Sequence, residues 1–261
     1  MKGSHPHTPT GILITGASSG IGAALAEAYA QAGTVLFLSG RDLDRLERVA
    51  KKCRDRGAIV HTTVLDVTNA AAMRQWVQAS DDDHPLDLVI ANAGISGGMR
   101  PTSSGTGRDT VAEDIFATNI GGVLNTVSPA LSRMQPRQRG QIAIMSSLAG
   151  LRGLPSAPAY SASKVAVRAY GEALRPLHAA HGIGISVILP GFVESRITDQ
   201  NHFPMPLIMP AAKAARIIKR GLARNRARIA FPFPLYAMMW VLAALPPAIA
   251  DLFLSRLPKK D

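Results

Sequence analysis

Gly11-Ile12-Leu13-Ile14-Thr15-Gly16-Ala17-Ser18-Ser19-Gly20-Ile21-Gly22 is the stretch on which the fold turns. Gly11 to Thr15 reads as a short buried strand, and three glycines follow at once. The alanine-rich run Ala23 to Gln31 then reads as a helix, with Gly33 in the place of its C-cap. Strand, glycine turn and helix in direct succession aim backbone N–H groups and a helix N-terminus at a diphosphate. The spacing, Gly-x-x-x-Gly-x-Gly, is one residue longer at its front than the usual dinucleotide fingerprint. A glycine turn with no ligand is the competing reading, and its place directly after the first strand disfavours it.

Further strands follow at regular intervals: Thr34 to Ser39, Ala58 to Leu65, Leu86 to Ala91, Gln141 to Met145 and Gly184 to Leu189. Helical runs separate them, among them Leu43 to Arg56 and Asn69 to Ala79. Six strands alternating with helices predict an α/β fold, a Rossmann-like doubly wound parallel sheet with helices on both faces. In such a sheet the carboxyl ends of the strands gather along one edge, where ligands bind. Gly16, Arg41, Asp66 with Val67, Asn92, Ser147 and Gly191 all fall at strand ends. After the second strand, Gly40 stands where a ribose-binding carboxylate is expected, and Arg41 comes next, which favours NADP(H) over NAD(H). Asp42 is one step late for the ribose and suits the N-cap of the following helix.

Tyr160 and Lys164 are spaced i and i+4, one turn apart on one helix face. An ammonium close to a phenol favours the phenolate, so the pair predicts a tyrosine that works as acid or base nearer neutral pH. Alone the spacing means little; at the ligand-binding edge it points to chemistry. Asn119, followed by Ile120-Gly121-Gly122, interrupts a helix that begins near Asp109, and residues this unsuited to a helix interior predict a local irregularity there.

With these pieces in place the chain resembles the short-chain dehydrogenase/reductase family over roughly residues 10 to 200. The resemblance is carried by Thr15-Gly16-Ala17-Ser18-Ser19-Gly20-Ile21-Gly22, Asn92-Ala93-Gly94, Asn119, Ser147, Tyr160 with Lys164, and Pro190-Gly191. It implies that Tyr160 exchanges a proton with the substrate oxygen and that Ser147, rather than Ser146, hydrogen-bonds the same oxygen. It implies too that Lys164 holds the nicotinamide ribose and depresses the tyrosine pKa, and that Asn119 positions a water linking Lys164 to solvent. Gly16, Ser18, Ser19, Gly20, Ile21, Gly22, Arg41, Asp66, Val67, Asn92, Ala93, Gly94, Tyr160, Lys164, Pro190, Gly191, Val193 and Ser195 are the implied cofactor contacts. The chain departs from the family at Ala91, where a second asparagine is common, and after Gly191, where Ser195 or Thr198 must replace a threonine. The implied activity is the interconversion of a ketone and a secondary alcohol, by an enzyme acting as a homodimer or homotetramer. A non-catalytic NADP-binding scaffold and a membrane-surface lipid-binding protein are the alternatives.

At 261 residues and 47% apolar composition, the chain suits one globular domain with a substantial core. One cysteine, Cys53, rules out an internal disulfide and fits a reducing, cytoplasmic setting. No cluster of His, Cys and carboxylate has ligand spacing, so no metal is expected. The net charge of +11 comes without a nucleic-acid motif, and no nucleic-acid partner is expected. Residues 1–10 read as a disordered leader, 11–228 as the catalytic domain and 229–261 as an apolar C-terminal extension. Within the domain, Ser96 to Arg108 reads as a mobile loop at the substrate mouth, and 192–210 as a flap whose apolar middle favours a hydrophobic substrate. No charge occurs from Ile229 to Ala250, but prolines break the run and leave only Leu235 to Leu245 uninterrupted, too short to span a bilayer. This stretch is expected to form a subunit interface, to cover the pocket, or to rest peripherally on the inner face of a membrane.

Overall fold

The computed structural model describes residues 8–97, 110–195, 198 and 205–254. Most of the leader, most of the Ser96 to Arg108 loop, part of the flap and the last residues of the extension lie outside them.

Seven parallel strands form one sheet in the order β3-β2-β1-β4-β5-β6-β7. They are β1 (Gly11–Ile14), β2 (Val35–Gly40), β3 (Ile59–Val64), β4 (Leu88–Ala91), β5 (Gly140–Met145), β6 (Ile183–Pro190) and β7 (Arg228–Phe231). The sequence predicts six of them. The seventh is the first piece of what reads as the tail: Val187 to Pro190 pair in parallel with Arg228 to Phe231, so the sheet continues past residue 228. Four residues opened by an arginine and closed by Pro232 give too short an alternation to announce a strand.

Helices cover both faces. Successive strand residues point to opposite sides, so Ile12, Ile14, Leu36, Leu38 and Ile90 pack with α1 (Gly20–Tyr29), α2 (Leu43–Arg54) and α7 (Ala211–Ala223). Leu13, Phe37, Val89, Ile142 and Ile144 pack with α3 (Ala70–Asp83), α5 (Gly122–Met134) and α6 (Pro158–Ala179) on the other side. Burial on both faces explains the unbroken apolar runs, and removing one such Leu or Ile side chain typically costs about 2–5 kcal/mol. Cys53 is one of these core groups on α2, where burial pushes its thiol up to about 11.

The strand order reverses between β1 and β4, and the crevice above that switch point is where such sheets bind ligands. At the opposite edge Asp87 ties the strand entries together, accepting hydrogen bonds from the Thr10 amide and hydroxyl, both at 2.9 Å, and from the Arg139 guanidinium. The one charge in an apolar strand is thus a fastener far from the crevice.

Candidate active site

The turn after β1 is held by hydrogen bonds that the sequence does not announce. The buried Thr15 hydroxyl accepts from the amides of Asn92 at 3.0 Å and Ala93 at 3.1 Å, joining the ends of β1 and β4. The Asn92 amide group donates to the carbonyls of Thr15 at 2.9 Å and Gly16 at 3.2 Å. Asn92 therefore braces the glycine turn, and it also lines the crevice where it is expected to meet the cofactor. Gly22 is required by closeness: a Cβ there would lie 2.3 Å from the Gly16 carbonyl oxygen. With no side chain in the way, the first turn of α1 sits directly on the glycine turn and opens into the crevice. Ser19 at the N-cap makes no capping hydrogen bond, and the first turn holds no acidic residue. Those features fit a bound diphosphate, because the helix start keeps N–H groups for an anion. Ser195, in the segment after β6, closes over this end, where a Cβ on Gly20 would lie 3.0 Å from the Ser195 Cβ. The Thr198 hydroxyl accepts from the Ser195 amide at 2.8 Å, so the two candidates for one contact brace each other.

At the far end of the crevice, beyond β2, stand Gly40, Arg41 and Asp66. Arg41 is mostly exposed and only 4.0 Å from Asp66, a loose pairing that leaves its guanidinium available. Asp42 caps α2 by accepting from the Arg45 amide at 2.9 Å. Arg45 had no role in the sequence reading, yet it lines the same cavity; its Nη2 pairs with Asp42 at 2.9 Å, and its Nε is buried with no partner among the described residues. The signal was present as the i+4 spacing of the two arginines. Asp66 is held low, chiefly by the Thr68 amide, with burial opposing and the Thr68 hydroxyl and Arg41 assisting. It therefore carries a negative charge at this end of the cavity.

The four residues proposed from the sequence as catalytic come together midway. Tyr160 lies in the first turn of α6, with Lys164 one turn on; the lysine Nζ is 5.6 Å from the phenol ring centre. Lys164 is buried and donates to the Met145 carbonyl at the end of β5, at 3.0 Å. Ser146 is tied to the back of the same helix, its hydroxyl donating to the Lys164 carbonyl at 2.7 Å. Ser147 lines the cavity beside Tyr160, and its hydroxyl accepts from the Ala149 amide at 3.1 Å. Asn119 sits in a π-helical turn, Ala117–Gly121, between α4 (Thr110–Phe116) and α5. That is the irregularity its glycine-flanked position predicts, and it points the buried amide at Ile95 and Ser163. Ser163 in turn donates to the Tyr160 carbonyl at 2.7 Å, so a second unforeseen side chain connects Asn119 to α6. Gly94 leaves the space between them open: a Cβ there would lie 3.1 Å from Asn119 Oδ1 and 3.3 Å from Lys164 Nζ.

The electrostatics differ from the sequence expectation. Burial pushes the Tyr160 phenol above its ordinary value, and its hydrogen bond with Ser147 opposes this only in part. The phenol is therefore neutral and poised to donate. Burial also brings Lys164 down to about 8, which keeps it largely charged at neutral pH. The expected depression of Tyr160 by Lys164 gives way to the desolvation of the ring.

One cavity of about 1080 Å³ joins these parts. Beyond Tyr160 its wall turns apolar, formed by Leu148, Leu154 and Phe192 with Leu235, Met238, Val241 and Leu242 of α8 (Phe233–Ala244), by Leu245 just after it, and by Phe253 and Leu254 of α9 (Pro247–Leu254). The C-terminal extension is thus part of the pocket wall. Met238, Val241, Leu242 and Leu245 follow the i, i+3, i+4, i+7 pattern of a single helix face. α8 is pinned at both ends. Arg152, just after Ser147, donates to the carbonyls of Leu242 at 3.3 Å and Leu245 at 3.0 Å. Arg228 links Glu172 of α6 to the Tyr236 hydroxyl, which it meets at 3.2 Å.

Comparison with known proteins agrees with this geometry. An oxidoreductase of Myxococcus xanthus (strain DK1622), described as uncharacterized, is 37% identical over 246 residues, which cover 94% of this chain and 96% of the relative. A short chain dehydrogenase/reductase of Burkholderia phymatum, solved with NAD, superimposes with a TM-score of 0.80 at 26% identity, covering 96% of each chain. An actinorhodin polyketide ketoreductase solved with NADPH superimposes with a TM-score of 0.76 at 25% identity, over 86% of this chain and 96% of that one. Residues 10–203 match the sequence profile of the short chain dehydrogenases. The chain is a member of the short-chain dehydrogenase/reductase family, an NAD(P)-dependent oxidoreductase.

Proposed function

We propose that the protein is an NADP(H)-dependent oxidoreductase that interconverts a ketone and a secondary alcohol on a hydrophobic substrate. The observation that carries this reading is the cavity itself. Arg41 and Arg45 stand at its β2 end, a phenol, a hydroxyl and an ammonium at its centre, and its remaining wall is apolar. The nicotinamide, when bound, supplies or accepts the hydride.

The side chains do the rest. In reduction, negative charge develops on the carbonyl oxygen, and Tyr160 and Ser147 donate hydrogen bonds to it, the tyrosine giving up its proton. The raised phenol pKa suits that donor role. Lys164 would hold the cofactor ribose, and its charge stabilises the phenolate left behind. Asn119, through the π turn, keeps a polar route from Lys164 toward solvent for the returning proton. Leu148, Leu154 and α8 exclude water and select a substrate with an apolar body. The actinorhodin ketoreductase lends support as a relative whose name states ketone reduction.

The preference for NADPH rests on Arg41, with Arg45 beside it and no acidic residue at position 40. A charge-assisted hydrogen bond to the 2′-phosphate contributes about 1.5–3 kcal/mol. In ketone-dependent steady-state assays, Arg41→Ala is expected to raise the KM for NADPH about tenfold or more, and the KM for NADH by far less. Equal changes in both would show that Asp66 or Asp42 reads the ribose without help from the arginine. An absence of ketone-dependent NADPH oxidation in the unaltered protein would remove the proposal altogether.

A further inference from the structure

The apolar end of the cavity opens to the outside through the same helices that wall it. Met238, Val241 and Phe253 line the cavity and are also 51%, 53% and 55% exposed, so they form its rim. Near them in the chain Phe233 is 74% exposed, Trp240 57% and Ile249 45%, none of them lining the cavity. α8 is apolar on every side, with only Met239 buried in the core. Monomeric soluble proteins seldom leave so much contiguous apolar surface uncovered.

We propose that this rim is a membrane-docking surface. It seats the protein on an anionic bilayer with the cavity mouth facing the acyl chains, so that an acyl-chain-bearing ketone or alcohol enters directly from the lipid. Three observations favour a bilayer over a second copy of the chain. The residues surround an opening, and a second copy seated there would stopper it. A protein interface of this size normally carries a polar rim, whereas Asp251 is the one charged residue from 229 to 254. The segment is also net basic: residues 200–261 hold ten basic residues against two acidic ones, of which Asp251 is exposed on α9 itself. α8, with 12 residues, is about 18 Å long. No helix among the described residues is long and apolar enough to cross a membrane. Contact is therefore from one side, with Trp240 placed where an indole favours the boundary of polar and apolar layers.

The test is flotation of the full chain with vesicles of phosphatidylcholine, alone or with about a third phosphatidylglycerol. The protein is expected to float with the anionic vesicles and less with the neutral ones. Phe233→Gln with Trp240→Gln, neither residue lining the cavity, is expected to weaken partitioning about tenfold or more and to leave turnover of a small water-soluble ketone unchanged. Sedimentation of the lipid-free proteins supplies the control on assembly. Wild-type protein that stays behind with both vesicle types overturns the proposal. So does a double variant that floats like wild type, or a lipid-free dimer that the two substitutions dissociate. Delivery of substrate from the lipid rests on the oxidoreductase reading, but docking does not. Protein that floats yet turns over no ketone refutes that reading and leaves the surface standing.

Discussion

Replacing Tyr160 with phenylalanine is expected to lower turnover on the order of 10²-fold or more while NADPH affinity stays close to its original value. The ring stays in place, so the packing of α6 is kept and only the hydroxyl is lost. That hydroxyl has its hydrogen bond with Ser147, which faces the cavity and stays satisfied by the Ala149 amide. No buried partner is therefore stranded, and the variant is expected to stay folded, which its thermal unfolding midpoint would check. Cofactor titration by fluorescence, run beside steady-state rates, separates the two effects. A variant that keeps near-normal turnover would mean that the proton comes from elsewhere, with Ser147 the nearest hydroxyl.

Lys164→Ala is expected to damage both parameters: turnover and NADPH affinity should each fall about tenfold or more, the scale of a lost charge-assisted hydrogen bond. Lys164 differs from Tyr160 in that its ammonium serves two partners. It stands near the phenol and, in the function proposed, also holds the ribose; its loss leaves Tyr160 in a desolvated site without a cation. The sign of the pH effect follows. A nearby positive charge favours the phenolate, and its removal raises the tyrosine pKa further. In the direction of alcohol oxidation, where the phenolate accepts the proton, the activity of Lys164→Ala should rise only at higher pH than that of wild type. An unshifted profile would show that Lys164 has no electrostatic hold on Tyr160.

Much of this arrangement can be read from the sequence because it is local. Gly16 to Gly22 announces a helix start against a turn, and Asn119 beside two glycines announces a distorted helix, here a π turn. Apolar runs bounded by turns mark the strands, because burial on both faces leaves little room for polar residues. The partnerships that shape the substrate end are harder to read. Arg152 meets the carbonyls of Leu242 and Leu245 across ninety or more residues, and nothing in Leu151-Arg152-Gly153 names that target. Ser163 and Thr15 look like ordinary polar residues until their neighbours are known. α8 is unreadable for another reason: with apolar residues on all sides it has no stripe to tell an inner face from an outer one. Its cavity-lining face appears only once β7 has set it beside Leu148. The electrostatic expectation for Tyr160 missed because spacing gives the distance to a cation but not the desolvation of the ring.

The central claim is that this cavity moves a hydride between NADPH and a hydrophobic ketone, and the fate of that hydride tests it most directly. The purified protein would be incubated with NADPH carrying deuterium at the transferable nicotinamide position and with 2-ketones of increasing chain length. The products would then be analysed by mass spectrometry. The account predicts a secondary alcohol bearing one deuterium on the carbinol carbon, formed more efficiently as the chain lengthens and abolished in Tyr160→Phe. Recovery of unreduced ketone at every chain length, with labelled NADPH intact and bound, would contradict it and leave a protein that holds the cofactor without using it.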